Sequence, residues 1–281
     1  MKGIISHAKT LFLAFVIAVV QIWKDFSNDN GSQAAASFAF FSFLSLLSLI
    51  ILAGAVLGTV LKGNQQLLNE IMEYITTNVP GITNTVKQAL DASINLRGVL
   101  GIGGILGLLY TGTKVFDSFQ VWLNSIWGVK RPDYLKKKAK SLLTLLFTGG
   151  VVLLGFGLHI ALFLLRKNFY LVSTLMPVLV FIVTALVLFV GLLFIYSYSV
   201  EIRMGWRRVW KGALFAALLL NPVQMVLSWY YTKIGDIPAI YGSFGGVVLT
   251  IIAIYYAGYI IYLGAELNRY LDTQMPRPSR A

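Results

Sequence analysis

Cysteine is absent from this 281-residue chain, and histidine nearly so, at two residues. Without cysteine there is no disulfide, no thiolate metal site and no cysteine nucleophile. His7 and His159 alone cannot build a multi-histidine metal site, and they leave little for a histidine-based triad. Charge is scarce too: 12% of residues are charged, where a soluble domain carries about 25%. With 11 acids in all, few carboxylates remain for acid–base or metal-assisted hydrolysis. No glycine-rich phosphate loop with its lysine is present, so intrinsic ATP coupling is not expected.

What is present is apolar. Hydrophobic residues make up 57% of the chain, and a bilayer core needs roughly 20 apolar residues per crossing helix. Spans are expected at about 34–61, 98–113, 141–165, 171–198, 212–231 and 242–267. In the second, the helical pattern continues past the apolar stretch through Lys114, Asp117, Gln120 and Asn124 to residue 127. The expected fold class is an all-α membrane protein, one integral domain over 1–281 with six transmembrane helices. Six Trp and 14 Tyr suit two membrane interfaces.

A net charge of +12 would suggest nucleic acid in a soluble protein. Here the basic residues fall in alternate connections. Lys2, Lys9 and Lys24, then Lys114, Lys130, Arg131, Lys136, Lys137, Lys138 and Lys140, lie on one side with Arg203, Arg207, Arg208, Lys211, Arg269, Arg277 and Arg280. The other side holds Lys62, Lys87, Arg97, Arg166, Lys167 and Lys233. Cationic connections stay cytoplasmic, so both termini are expected on the cytoplasmic side of the membrane.

The stretch 10–23 has the basic start and apolar run of a signal peptide, but no small-x-small cleavage pattern follows. It reads as an interfacial or partly buried cytoplasmic helix, an uncleaved extra span being the alternative. In the long outer connection 62–97, Leu67, Leu68, Ile71 and Ile75 recur at helical spacing before Pro80-Gly81. Two short amphipathic helices on the outer surface are expected there.

Three motifs stand in order: Ala34-Ala35-Ala36-Ser37-Phe38-Ala39-Phe40 with Ser45-Leu46, Leu123-Asn124-Ser125-Ile126-Trp127-Gly128-Val129, and Tyr241-Gly242-Ser243-Phe244-Gly245-Gly246 followed by Gly264-Ala265-Glu266-Leu267-Asn268. Together they resemble the YihY/BrkB family of six-span bacterial inner-membrane proteins, over nearly the whole chain. The resemblance implies six helices, cytoplasmic termini and a bacterial plasma membrane. It implies no settled activity, since members have been labelled as a tRNA-processing ribonuclease or linked to serum resistance and envelope-lipid export. One departure is Ser45-Leu46-Leu47-Ser48, where relatives usually have Ser-Leu-x-Pro. The missing proline puts a broken first helix in doubt.

Charged and polar groups within spans are the candidate substrate path, because each charge costs at least about 2.5–3.5 kcal/mol at the membrane centre. Lys114 and Asp117 are three residues apart, within pairing distance on one helix face, with Gln120 and Asn124 extending the polar arc. They line either a hydrophilic cavity or a cytoplasmic extension of the helix. Glu266 is either an inward-facing carboxylate or a rim residue paired with Arg269 or a basic loop. Asp25, Asp29 and Asp133 could meet in the cytoplasm as acids for hydrolysis, but no spacing suggests it. Asn221, Pro222 and Gln224 mark a kink and a nearby amide in the fifth span. Pro177 would kink the fourth, and His159 reads as a satisfied single histidine.

Gly98, Gly101, Gly104 and Gly107, with Gly242, Gly245 and Gly246, are expected at close helix contacts, as are Ser42, Ser45 and Ser48. The basic residues Lys130, Arg131, Lys136, Lys137, Lys138, Arg207 and Arg208 are candidate contacts for anionic phospholipid headgroups, or only set topology. The functional expectation is a non-enzymatic membrane protein that transports or flips a lipid or other amphipathic anion. Membrane lipids are its expected partners, without nucleic acid, metal or cofactor. A non-transporting envelope scaffold is the alternative, and ribonuclease activity is disfavoured.

Overall fold

The computed structural model describes residues 2–60, 97–129, 133–165, 170–202, 204–233 and 243–274. These form seven helices and, among the described residues, no strand. They are α1 (Lys2–Asn28), α2 (Gly31–Val60), α3 (Arg97–Ile126), α4 (Tyr134–Leu165), α5 (Tyr170–Tyr198), α6 (Trp206–Lys233) and α7 (Ser243–Gln274). Each of α2 to α7 has at least 28 residues, which at 1.5 Å per residue exceeds the ~30 Å hydrocarbon thickness. Among the described residues, four helices are apolar enough over a sufficient length to cross a membrane: α2, α4, α5 and α7. The expected helices in the outer connection, apart from Arg97, which opens α3, lie outside the described residues, as do Lys130, Arg131 and Gly242.

Helix boundaries depart from the apolar spans in one direction. α4 starts at Tyr134 rather than 141, and α6 at Trp206 rather than 212. Both extensions carry basic residues, which are good helix formers but invisible to a hydropathy reading. The N-terminal helix likewise covers Lys2–Asn28 instead of 10–23. Pro177 and Pro222 sit inside helices that run on past them.

Helices α2 to α7 close into a ring. α2 packs on α3 and α7, α7 on α6, α6 on α5, α5 on α4, and α4 returns to α3. α1 lies outside it, against α7 and α2. Small residues set the closest crossings. A Cβ on Gly104 would stand 3.0 Å from the backbone nitrogen of Leu52, and one on Gly107 would stand 2.9 Å from Ser48 Oγ. The tightest crossing is α6 on α7, where a Cβ on Gly212 would overlap the Gly264 carbonyl. There the Gly212 amide donates to Asn268 Oδ1 at 2.7 Å.

The core is concentrated at the basic end of the ring. Phe119, Tyr196 and Tyr262 are buried together with Trp122 and Leu123. Tyr262 lies 5.1 Å from Phe119 and 4.6 Å from Trp122, centroid to centroid. Tyr196 donates from its hydroxyl to the Ile261 carbonyl at 2.6 Å, so its polar end is satisfied inside the core.

Candidate functional site

The end of α3 is built by a specific stop. Gly128 takes a φ of 63°, a left-handed conformation that suits glycine. The Val129 amide then reaches back to the Asn124 carbonyl at 2.9 Å, and the Gly128 amide to the Ser125 carbonyl at 3.0 Å. This pair of bonds is a Schellman cap. It turns the chain away from α3, so Val129 and, further on, Lys137 come to wall a cleft with the last turns of α3. At the neighbouring corner Asn30, at φ 56°, turns α1 into α2.

The cleft encloses about 610 Å³ between α2, α3 and the start of α4. From the α1–α2 corner comes Asn30 and from α2 come Gln33, Ala34, Ser37 and Phe41; from α3 come Lys114, Asp117, Ser118, Val121, Trp122, Asn124 and Ser125. It lies on the side of α3 facing away from the ring interior. Phe116, Phe119, Leu123 and Ile126 fall on the core side of the helix. Lys114, Val121 and Ser125 fall roughly opposite them at 3.6 residues per turn. The same outer side continues from Lys114 as Tyr110, Leu106 and Ile102, each at least 61% exposed. A polar cleft is thus continuous with an apolar strip along one helix.

Charges in the cleft are unequally partnered. Asp117 receives Lys138 Nζ on Oδ2 at 2.5 Å and Ser141 Oγ on Oδ1 at 2.5 Å. Ser141 in turn accepts from Gln120 Nε2 at 3.0 Å. The expected pairing of Asp117 with Lys114 is therefore replaced by one across to α4. Two residues in one helix can face each other only along that helix, whereas Lys138 reaches Asp117 from the packed neighbour. Lys114 lies 5.6 Å from the Tyr110 ring centroid. Among the described residues, no carboxylate comes within ion-pair distance of Lys114 or Lys137. Asn124 is buried in the wall: its Oδ1 accepts the Glu201 amide at 2.9 Å, while its Nδ2 has no partner among the described residues.

The remaining expected path residues sit elsewhere. Gln120 is fully buried behind Asp117. Asn221 is buried on α6 and donates to the Ala217 carbonyl at 3.1 Å, beside an exposed Pro222. Gln224 lies on the same helix. Glu266 is buried at the basic end and accepts from Arg269 Nε at 2.8 Å. Glu266 is thus buried and paired with Arg269 at once, and it does not line the cleft.

Of the basic residues, Lys137 lines the cleft and Lys138 holds Asp117, while Lys136 makes an exposed pair with Asp133 at 3.6 Å. Arg208 pairs with Asp272 at 3.6 Å, and Arg207 is exposed. Gly104 and Gly107 are at a close crossing, and Gly98, Gly101, Gly245 and Gly246 lie on α3 and α7.

Beyond the Glu266–Arg269 pair, sequence reasoning missed that Asp25 and Asp29 complete a clamp on Arg269. Its Nη2 lies 3.3 Å from Asp25 and 3.1 Å from Asp29, and Nη1 donates to the Ile126 carbonyl at 3.3 Å. With Glu266, three carboxylates converge on one guanidinium and tie α1, α3 and α7 together. The four-residue spacing of Asp25 and Asp29, and the three-residue spacing of Glu266 and Arg269, were the available signals. Asp133, by contrast, stays apart. Phe26 completes the dock, with its ring centroid 4.4 Å from Tyr259 and 6.3 Å from Trp122.

A family profile described as virulence factor BrkB matches residues 22–281. A UPF0761 membrane protein of Verminephrobacter eiseniae is 28% identical over 184 residues, covering 64% of this chain and 44% of that protein. A UPF0761 membrane protein of Alcanivorax borkumensis is 27% identical over 279 residues, covering 94% and 63% respectively. The chain spans about half the length of the curated relatives it matches. No solved structure matches it.

Proposed function

The chain belongs to the BrkB family of membrane proteins, and from that premise we propose that it moves an anionic amphiphile between the leaflets of a bacterial inner membrane. In this reading α2 to α7 are six spans, both termini are cytoplasmic, and α1 is an interfacial helix. The reading is supported by the clustering of Lys136, Lys137, Lys138, Arg207, Arg208 and Arg269 at the end that carries the core and the chain-end helices. Exposed Leu13, Val16, Ile17, Val20 and Trp23 give α1 an apolar surface that water would not favour.

One observation carries the reading: a cleft with two cations unpaired by any described carboxylate opens sideways on α3, directly below an exposed apolar strip. A soluble substrate has no use for that strip. An amphiphile has, because its headgroup can sit beside Lys114 and Lys137 while its chains stay in the bilayer along Tyr110, Leu106 and Ile102. The proposal includes no covalent step. Asp117 and Glu266 are engaged by Lys138 and Arg269, which leaves neither poised as a general base.

The test is reconstitution of the purified chain in liposomes carrying fluorescent phosphatidylglycerol or phosphatidylcholine, with leaflet exchange read by dithionite quenching. Faster exchange of the anionic lipid, lost in Lys114→Gln/Lys137→Gln, is expected. Exchange no faster than in protein-free liposomes would remove the transport reading in favour of a scaffold. The absence of native cysteine makes topology directly testable. Single cysteines at Lys136 and Arg207 should label from the cytoplasmic side only, and one at Lys233 from the opposite side.

A further inference from the structure

We infer that the cleft on α3 selects a lipid whose head is a phosphate monoester, and that Asp117 is a built-in competitor for that anion. The inference rests on reading the cleft as a lipid site. Charge is its first ground. Lys114 and Lys137 line the cleft with no described carboxylate in reach, so the pocket carries two uncompensated positive charges. A phosphate monoester carries about −1.5 to −2 at neutral pH, with three acceptor oxygens. A phosphodiester brings a single negative charge and would leave one cation unmatched. A zwitterionic head brings none.

The second ground is hydrogen bonding. Asn124 is 2% exposed and stands in the cleft wall, with Nδ2 unpartnered and Oδ1 fixed by the Glu201 amide. That bond fixes which end of the amide is free, and the free end is a donor. A buried amide donor without an acceptor is costly, and an anionic oxygen is the acceptor that best relieves it. Gln33 and Ser125 add donors on the same walls.

The third ground concerns Asp117. It lines the cleft and is held from behind, out of α4, by Lys138 and Ser141, which do not line the cleft themselves. The protein has therefore placed one of its own carboxylates on Lys138, a third lysine that meets the cleft only through Asp117. While Asp117 stays there, Lys138 is neutralised and an entering anion meets the field of two cations rather than three. Replacing Asp117 by its neutral isostere frees Lys138 and should tighten anion binding. A carboxylate that merely supported the fold, or that bound a cationic substrate, would give the opposite result or none.

The experiment titrates the purified full chain with phosphatidic acid, phosphatidylglycerol or phosphatidylcholine of identical acyl chains, and separately with inorganic phosphate alone. Bound ligand is counted by native mass spectrometry. Phosphatidic acid should bind about fivefold more tightly than phosphatidylglycerol at pH 7.5, the effect of one further charge contact. Lys114→Gln/Lys137→Gln should lower that affinity about thirtyfold and erase the preference. Asp117→Asn should raise phosphatidic acid affinity about fivefold and leave phosphatidylcholine unchanged.

A second arm needs no variant. The second ionisation of a phosphate monoester lies near pH 6, so the preference should shrink between pH 7.5 and pH 5.5. This arm decides the matter if Asp117→Asn does not fold. Equal binding of the two anionic lipids at pH 7.5, or weaker phosphatidic acid binding in folded Asp117→Asn, overturns the inference and leaves the broader anionic-lipid reading standing. Binding of no anionic lipid overturns both. Inorganic phosphate binding as tightly as phosphatidic acid overturns the lipid assignment and makes soluble phosphate the ligand.

Discussion

Replacing Arg269 by alanine tests the clamp that joins α1 to the ring. The side chain holds Asp25, Asp29 and Glu266 at 3.3, 3.1 and 2.8 Å, and all but Glu266 retain some solvent contact. Glu266 is 1% exposed, so removing its partner leaves a buried charge uncompensated, which costs roughly 3–5 kcal/mol. Asp25 and Asp29 are each more than a quarter exposed, and water screens what they lose, so each adds at most about 1 kcal/mol. The total centres on about 5 kcal/mol, with the Glu266 term dominant. For a chain of this size that corresponds to a melting temperature lower by about 10 °C. Heating detergent-purified protein and following the monodisperse peak by fluorescence-detected size exclusion measures it. Arg269→Ala/Glu266→Gln should recover more than half of the loss, because the uncompensated charge itself is then gone. A single variant melting within about 2 °C of the parent, or a double variant with no recovery, would refute the reasoning.

Three further outcomes follow from the same geometry. Gly212→Val should prevent assembly or lower stability by at least about 3 kcal/mol, since its Cβ falls on the Gly264 carbonyl; Gly150→Ala, open within 4 Å, should be neutral or stabilising by up to about 1 kcal/mol in the same heating assay. Lys138→Ala should destabilise by about 3 kcal/mol by leaving Asp117 unpaired, and Lys138→Ala/Asp117→Ala should be milder than the single variant in a double-mutant cycle. Asn268→Ala should cost about 1–2 kcal/mol through the lost acceptor for the Gly212 amide, read as a lower midpoint in the same heating assay.

Hydropathy and charge made the fold class legible, because crossing a bilayer imposes a length and an apolarity that few other constraints produce. They underestimated α4 and α6 because the first turns of both helices are basic, and a lysine-rich helical turn looks like a loop to a hydropathy window. The cleft was half legible. Lys114, Asp117 and Asn124 stood out as polar groups in an apolar run, but Gln33 and Ser37 did not, being ordinary residues at the head of α2. Nor does spacing reveal that Asp117 answers to Lys138 rather than Lys114, since that choice depends on how α3 and α4 sit against each other. Ion pairs between elements are decided by packing, and one sequence records packing only through its small residues.

Those small residues give the family motifs a physical meaning as packing contacts. Ala35 and Ala39 are buried on α2, and the Ala35 carbonyl lies near where a Cβ of Gly258 would stand on α7. Gly128 closes α3 with the cap that shapes the cleft, and Gly264 with Asn268 seats α6 on α7. Among the described residues, each motif contributes a joint of the ring. The residues that distinguish ligands are therefore to be sought between the joints, and among the described residues the α3 cleft is where unpaired cations and an unsatisfied amide coincide. A ring whose joints are backbone-to-backbone tolerates little change there. Variation in what the cleft binds must then come from its walls, at positions such as Gln33, Lys114, Asp117, Ser125 and Lys137. Exchanging wall residues should alter lipid preference without altering assembly, and exchanging joint residues should do the reverse.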